Sequence, residues 1–449
     1  MSDTIYALST APARSGVAVI RISGNSAEDL LLRVFRSKHP MRNREMTLGT
    51  LVSPDGRALD RCLAVVFRGS ASYTGEPSAE LHLHGSPAVI SAALDALGRA
   101  GGRPAAAGEF TRRAFLNGKL DLAEAEAVGE LIAAETREAA ENAAAMLSGA
   151  LGRMLKPAYD AIIDLCANLA AEVDYPDDDI EPLTVPRALD TLFHVEHLLE
   201  NTLDRSDRAR AFTEGVRTAI VGAPNAGKST LFNAILGERR AIVTDAPGTT
   251  RDLLRERATL GGVPLLLTDT AGLRDAENEA ERIGVQLARE EAASAELVLL
   301  VLDGSREPTP DDCAAPEDLS TAAHTVVILN KSDLGIHPAT REFAPDFLHV
   351  ELSATSGDLS PLEQAVHSLY DAGDLRFDGT LLTNARQRAA CSSALDSVRA
   401  AIDALRSGLP TDLALTDAER AAARIGELFG RGAAEDVIDR VFANFCVGK

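Results

Sequence analysis

Residues 217–236, RTAIVGAPNAGKSTLFNAIL, restrict the fold of this 449-residue chain more than any other segment. Gly222, Gly227, Lys228 and Ser229 fit the pattern G-x-x-x-x-G-K-[ST], whose glycines let backbone N–H groups close around phosphate oxygens at a helix N-terminus. By residue frequencies alone the pattern arises in roughly one chain in fifty of this length. Here it follows a β-rich run, 217–221, and opens a helical run, 230–236, which is the context phosphate binding requires. Lys228 is placed to reach the β- and γ-phosphates and Ser229 to ligate magnesium.

The surrounding pattern extends this into a domain. Between about residues 217 and 370, β-rich runs at 217–221, 256–260, 264–268, 297–302, 325–329 and 349–352 alternate with helical stretches, which predicts a mostly parallel, doubly wound sheet. Gly261 and Gly262 predict an antiparallel hairpin between the second and third runs. The remaining chemistry falls at run ends. DTAG supplies Asp269, Thr270, Ala271 and Gly272, with Asp269 for the magnesium shell and the Gly272 N–H to sense a γ-phosphate. NKSD supplies Asn330, Lys331 and Asp333; its aspartate can accept both hydrogen bonds offered by the guanine N1 and N2 edge, a pair adenine lacks. Ser353 and Ala354 stand where GTPases back the guanine O6 with a main-chain N–H. Together with Asn225, Ala226 and Thr230 around the phosphate loop, these motifs and their order resemble the translation-factor branch of GTPases and predict GTP as the nucleotide.

Between the phosphate loop and DTAG lies TDAPGTTRD, a candidate switch loop: Thr244, Asp245, Ala246, Pro247, Gly248, Thr249 and Thr250. Thr250 is the candidate to join Ser229 on magnesium, with Thr249 the near alternative. The residue after DTAG is Leu273, so the glutamine many GTPases use to orient water is absent; Glu277, Glu279 and Glu281 are candidate substitutes.

Length and composition bound the rest. A chain this long calls for roughly three domains. No apolar run could span a bilayer, and an acidic N-terminus interrupted by Pro12 does not read as a signal peptide, so no membrane and a cytoplasmic location are expected. Five cysteines without a C-x-x-C pair predict reduced thiols. A formal charge of −22 opposes tight non-specific nucleic-acid binding, so any RNA contact must be local or shared with a partner.

The first hundred or so residues mix β-rich runs, such as 17–22 and 62–67, with Gly, Ser and Pro punctuation, and predict an α+β domain. Residues 119–173 turn to Ala, Glu and Leu and predict long helices; 188–211 resume that pattern, and the chain beyond 374 is helical again. The expected organisation is 1–118, an N-terminal domain; 119–212, helical; 213–372, a P-loop domain inserted into the helical one; and 373–449, the helical remainder.

Flanking blocks carry a more specific resemblance. DTI and RISG near the start, YTGE, ELHLHG, GEFTRRAFLNGKLDLAEAEA, PNAGKSTL, TDAPGTTRD, DTAGLR with ERIG, and the terminal FCVGK resemble the MnmE (TrmE) family of tRNA-modification GTPases over essentially the whole chain. The resemblance implies a Ras-like G domain inserted into a helical domain and preceded by an α+β, aminomethyltransferase-like folate-binding domain through which the chain forms a homodimer. It implies a 5,10-methylene-tetrahydrofolate-type ligand at Arg21, Glu80, Lys119 and Lys449. In ELHLHGSP, Ser86 stands where the family usually has a second glycine. The family is also associated with potassium beside the phosphates; its ligands here would be Asn225, Thr244, Ala246 and Thr249, and Glu281 matches the family's catalytic glutamate. It acts with a flavoprotein, MnmG, which brings FAD and NADH, in a heterotetramer that builds a carboxymethylaminomethyl-type group at C5 of the wobble uridine of certain tRNAs. Cys446 is a nucleophile candidate for that chemistry and equally a structural cysteine. A GTP-dependent ribosome-assembly switch is the rival reading: the phosphate-loop and NKSD motifs fit it, the flanking blocks do not.

Overall fold

The computed structural model describes residues 3–134, 136–174, 184–213, 215–238, 255–268, 295–310, 312, 323–370, 373, 375–432, 435–443, 445 and 448. No helix among them is long and apolar enough to cross a membrane. The chain divides into two compact units: Met1–Ile132 with Ala143–Glu200 and Arg386–Lys449, and Ala133–Asn142 with Asn201–Ala385.

The first unit opens with a seven-stranded sheet built from β1 (Ile5–Leu8), β2 (Ser15–Ser23), β3 (Phe35–Ser37), β4 (Thr47–Val52), β5 (Ala58–Phe67), β6 (Ser78–Gly85) and β7 (Arg103–Pro104). Their order is β3-β4-β5-β6-β2-β1-β7, antiparallel except where β7 joins β1. Side chains alternate along each strand with period two. Ala18, Ile20 and Ile22 of β2, with Cys62, Ala64 and Val66 of β5 and Ala79, Leu81 and Leu83 of β6, are buried with Leu30, Leu31, Ala93 and Leu97 of helices α1 (Ala27–Val34) and α2 (Pro87–Arg99). The opposite face carries Arg21, Arg61, Leu63, Glu80 and His82. Ser86 occupies the position before α2 at φ −85°, without a side-chain bond to the helix, in an ordinary backbone region that requires no second glycine after Gly85.

Helices follow: α3 (Glu109–Leu116), α4 (Leu122–Ala133), α5 (Arg137–Leu147), α6 (Ala150–Asp174) and α7 (Val185–Thr213). The sequence DLAE starts α4 by a reciprocal cap: the Asp121 N–H donates to Glu124 Oε2 and the Glu124 N–H to Asp121 Oδ1, both at 2.7 Å. Residues 386–449 are grouped with this unit, and helices form within them. Thr411–Leu428 packs on α6, and Arg386 makes a two-pronged ion pair with the buried Glu126 of α4 at 2.6 and 2.7 Å, joined by Gln387 Nε2 at 2.8 Å. The last helix, Glu435–Ala443, sets Phe442 against Phe115 of α3, ring centroids 6.1 Å apart. Beyond it, Gly448 lies against Leu8, its carbonyl accepting from Ser9 Oγ at 3.1 Å.

The second unit is built on β8 (Val216–Val221), β9 (Arg255–Leu260), β10 (Val263–Thr268), β11 (Leu297–Asp303), β12 (His324–Asn330) and β13 (Leu348–Glu351), in the order β13-β12-β11-β8-β10-β9. Every neighbouring pair is parallel except β9 with β10, joined through Gly261 and Gly262, both at positive φ as a tight hairpin needs. Residues 297–302 of β11 are all buried, which is why that strand reads as an unbroken apolar run rather than an alternating one. Leu231 and Ile235 of α8 (Lys228–Glu238), with Leu362 and Val366 of the helix Ser360–Leu369, cover one face. Three of the expected motifs, the phosphate loop, NKSD and Ser353–Ala354, sit at the carboxyl ends of parallel strands β8, β12 and β13, the edge of a doubly wound sheet where ligands bind; DTAG follows β10 in sequence and lies outside the described residues.

Candidate nucleotide-binding site

After β8 the chain turns through Gly222–Ala223–Pro224–Asn225–Ala226–Gly227 and enters α8 at Lys228. Asn225 holds a left-handed conformation (φ 62°) and is exposed, whereas Ala226 is buried. Lys228, Ser229 and Thr230 form the first turn of α8, where unpaired backbone N–H groups and the positive end of the helix dipole favour an anion. The Lys228 ammonium donates to the carbonyls of Gly222 and Ala223, at 2.8 Å each, so the cation is held at the mouth of the loop it is expected to serve.

Asn330, the first residue of NKSD, is 3% exposed and does not simply face a ligand. Its Nδ2 donates to the Ala226 carbonyl at 2.8 Å and its Oδ1 accepts from the Ala354 N–H at 2.9 Å. One amide thereby ties the phosphate loop, the NKSD turn and the Ser353–Ala354 loop into one frame. Gly227 makes this close approach possible: at φ 103° it carries no side chain, and a Cβ there would collide with Asn330 Nδ2.

Lys331 (φ 63°) turns its ammonium back to Asp303 at the end of β11, 2.6 Å away. Burial pushes the Asp303 carboxyl up, but hydrogen bonds from Lys331 and Ser305 outweigh it and hold the group below the usual carboxylate range. Asp333 lies in the short 3₁₀ turn Ser332–Leu334, exposed and without a hydrogen bond to another described residue, so its carboxylate is open to a ligand edge. Ser353 and Ala354 are both nearly buried, with the Ser353 and Thr355 hydroxyls sharing a hydrogen bond at 2.9 Å.

The first unit carries a second constellation. Arg21 of β2 and Glu80 of β6 are paired across the ladder, and their side chains meet at 3.0 Å with 19% exposure each. They line a cleft of about 420 Å³ with Arg44, Phe67, Thr74 and Tyr73, within the size range of small-molecule sites. The Arg21 guanidinium lies over the rings of Tyr73, at 5.2 Å, and Phe110, at 5.9 Å. YTGE forms one wall and is pinned from α3 and the turn after it. The Tyr73 and Thr111 hydroxyls are 2.9 Å apart, Asn117 Nδ2 donates to the Thr74 carbonyl at 2.7 Å, and Arg113 pairs with Glu76 at 3.0 Å. The Lys119 stem passes close over Gly75 of that wall, although Lys119 does not line the cleft.

A family model described as the TrmE N-terminus matches residues 4–119, and one described as the MnmE helical domain matches residues 122–446. A tRNA modification GTPase MnmE of Lactococcus lactis subsp. cremoris (strain MG1363) is 39% identical over 450 residues, covering all of this chain and 98% of that one. The chain belongs to the MnmE family of tRNA modification GTPases. The MnmE of Heliobacterium modesticaldum is 38% identical over the whole of both chains. Among solved structures, the G domain of the FeoB iron transporter of T. maritima matches 35% of this chain and 98% of its own length, at 26% identity and a TM-score of 0.26.

Of the residues expected at an MnmE nucleotide site, Asn225, Ala226, Gly227, Lys228, Ser229, Thr230, Asn330, Lys331, Asp333, Ser353 and Ala354 gather at this strand edge. Thr244 to Thr250, Asp269 to Gly272 and Glu281 lie outside the described residues, as do Cys446 and Lys449. Asp303 escaped the sequence reading. Its only signal is an acidic residue closing an apolar strand, and its role depends on Lys331, 28 positions later.

Proposed function

We propose that the chain hydrolyses GTP at the strand ends of the Asn201–Ala385 segment and couples hydrolysis to modification of the wobble uridine of certain tRNAs, together with the flavoprotein MnmG. The observation that carries this reading is the Asn330 amide joining three guanine-nucleotide motifs within a member of a tRNA modification GTPase family. The first turn of α8 and the Lys228 ammonium suit a triphosphate, and the open carboxylate of Asp333 suits the guanine edge. Ser229 and Thr250 are the proposed magnesium ligands. Asn225, exposed and beside the phosphate loop, is the proposed side-chain ligand of potassium, with backbone oxygens of Thr244, Ala246 and Thr249; such an ion offsets charge that develops between the phosphates. Glu281 is the proposed water-orienting carboxylate.

The proposed domains are 1–118, 119–212, 213–372 and 373–449. The Arg21–Glu80 cleft fits a 5,10-methylene-tetrahydrofolate-type ligand: a guanidinium suits its carboxylates, a carboxylate its pterin N–H donors, and two aromatic rings flank the guanidinium. Lys119 and Lys449 complete the proposed set. Gly448 against Leu8 and Ser9 supports Lys449, because that contact is one step along the ladder from Ala7, which pairs with Arg21. The paired Leu48 and Leu63, 52% and 38% exposed, and Met46, 48% exposed, support a second copy docking on this domain. FAD and NADH would be held by the partner, and the assembly works in the cytoplasm.

The test is nucleoside mass spectrometry of bulk tRNA from cells with and without the gene, complemented by wild type or Asp269→Asn. Loss of C5-aminomethyl-type wobble uridines, restored by wild type alone, is the expected result. Unchanged nucleosides in the deletion would refute the modification and favour a ribosome-linked switch. Equal GTP turnover in potassium and sodium buffers of matched ionic strength would remove the ion, and an undiminished rate in Glu281→Ala would remove that carboxylate.

A further inference from the structure

The chain carries a formal charge of −22, yet residues 33–44 hold five Lys and Arg and no Asp or Glu. They form the last residue but one of α1, the edge strand β3 and the loop that follows it. Arg33, Arg36, Lys38, Arg42 and Arg44 are all exposed. The sheet register adds a sixth cation: Arg36 pairs with Thr50 of β4, and Thr50 with Arg61 of β5, so Arg36 and Arg61 lie on one face two strand spacings apart, about 10 Å.

Among the described residues these cations find little neutralising charge. Arg33, Arg36 and Arg44 donate to main-chain carbonyls, of Ala100, Leu32 and Ala71. Only Arg42 has a carboxylate within 4 Å among the described residues, Glu45 at 3.7 Å, and that pair is open to solvent. Charged residues on an edge strand also discourage strand pairing. That role does not reach Arg42 and Arg44, which lie in the loop beyond β3, or Arg61, which lies on a strand inside the sheet order.

We propose that this ridge is a docking surface for the phosphodiester backbone of RNA. The proposal rests on the tRNA-modification reading above and gives the RNA a place on this chain. Local, unneutralised positive charge on an acidic protein is what a polyanion selects, and guanidinium groups suit phosphate oxygens. The ridge also has a direction. Arg44 belongs both to it and to the lining of the Arg21–Glu80 cleft, so a strand held along the ridge passes the mouth of that cleft. A backbone bound there would bring a base toward the chemistry rather than merely tether the RNA.

The test compares Arg36→Ala/Lys38→Ala/Arg42→Ala with a control carrying the same charge change elsewhere, Arg137→Ala/Arg341→Ala/Arg420→Ala, by filter binding of bulk tRNA between 0.05 and 0.2 M salt. Each protein is measured alone and with the flavoprotein partner, and circular dichroism and GTP turnover confirm that each is folded. Three lost phosphate contacts reduce the slope of log K against log salt by about 2 to 3 and weaken binding by about 100-fold near 0.1 M. An affinity and slope equal to the control's would overturn the proposal, as would loss of partner binding with tRNA affinity intact, which would make the ridge a protein contact. Absence of tRNA binding by the wild type in either state would instead count against the tRNA reading itself.

Discussion

Replacing Asn330 by alanine removes a side chain whose amide is engaged by a backbone group on each side. The amide is 3% exposed, and its two partners, the carbonyl of Ala226 and the N–H of Ala354, belong to residues 0% and 5% exposed. Asn330→Ala strands both groups. A buried backbone group without a partner costs about 1–3 kcal/mol, and partial hydration through the vacated space brings the pair to about 3 kcal/mol in total. Because both groups belong to loops that must be correctly placed before phosphate and base can bind, that energy divides between lower stability of the free protein and weaker nucleotide binding, according to how far the empty loops relax. Should the nucleotide have to restore the whole frame, GDP affinity falls by about 100-fold. The assay is titration of a fluorescent GDP analogue alongside thermal melting of nucleotide-free protein. Asn330→Asp should be worse than alanine, since a carboxylate oxygen would then face the Ala226 carbonyl. A nucleotide-free melting point equal to wild type would refute the reasoning even if affinity fell, because a residue acting only as a base contact leaves the empty protein untouched.

Glu126→Ala leaves the Arg386 guanidinium without its carboxylate in the first unit and should destabilise it by about 3–5 kcal/mol in urea denaturation, with the second unit's nucleotide affinity as an internal control; a loss under 1 kcal/mol would remove the clamp from the account. Burial raises the Asp121 carboxyl from 3.8 to about 6, so the folded chain keeps a proton that the unfolded chain releases, and Asp121 weakens the fold progressively between about pH 4 and pH 6. Asp121→Asn, which keeps the cap, should therefore gain on wild type across that window by about 1–2 kcal/mol after solvent screening, read from paired urea midpoints; a constant difference would contradict the raised value. Arg21→Ala should lower tetrahydrofolate affinity at least tenfold by calorimetry while leaving GDP affinity unchanged, and intact folate binding would remove the Arg21–Glu80 pair from that site.

The six strands of the nucleotide-binding sheet were legible to within a residue or two, the inner ones because parallel strands covered on both faces are largely apolar, as in residues 297–302. The hairpin was legible because two glycines at positive φ solve a backbone problem that few other pairs can. Site residues that touch backbone or phosphate likewise announce themselves by type. What stayed hidden were side chains whose partners are distant in sequence. Asn330 reads only as the first residue of NKSD, yet its amide serves Ala226, 104 positions earlier; Asp303 becomes meaningful only beside Lys331. The YTGE block is recognisable as a motif, but nothing in its letters says that Thr111, Arg113 and Asn117 hold it in place. Such pairings depend on tertiary register, to which local periodicity is blind.

The pairing of Glu126 with Arg386 also sets a schedule for synthesis. The two residues are 260 positions apart, so at about 5–20 residues per second the carboxylate emerges from the ribosome roughly 13–50 s before the guanidinium that neutralises it. During that interval α4 can form as a helix, but its buried face cannot close, because burying an unpaired carboxylate is more costly than leaving it in water. The chain between them, with a sheet of its own, is complete first. The newest part of the polypeptide therefore finishes the oldest, and a nascent chain halted before residue 386 should display a folded GTP-binding core beside helices still open to proteases and chaperones.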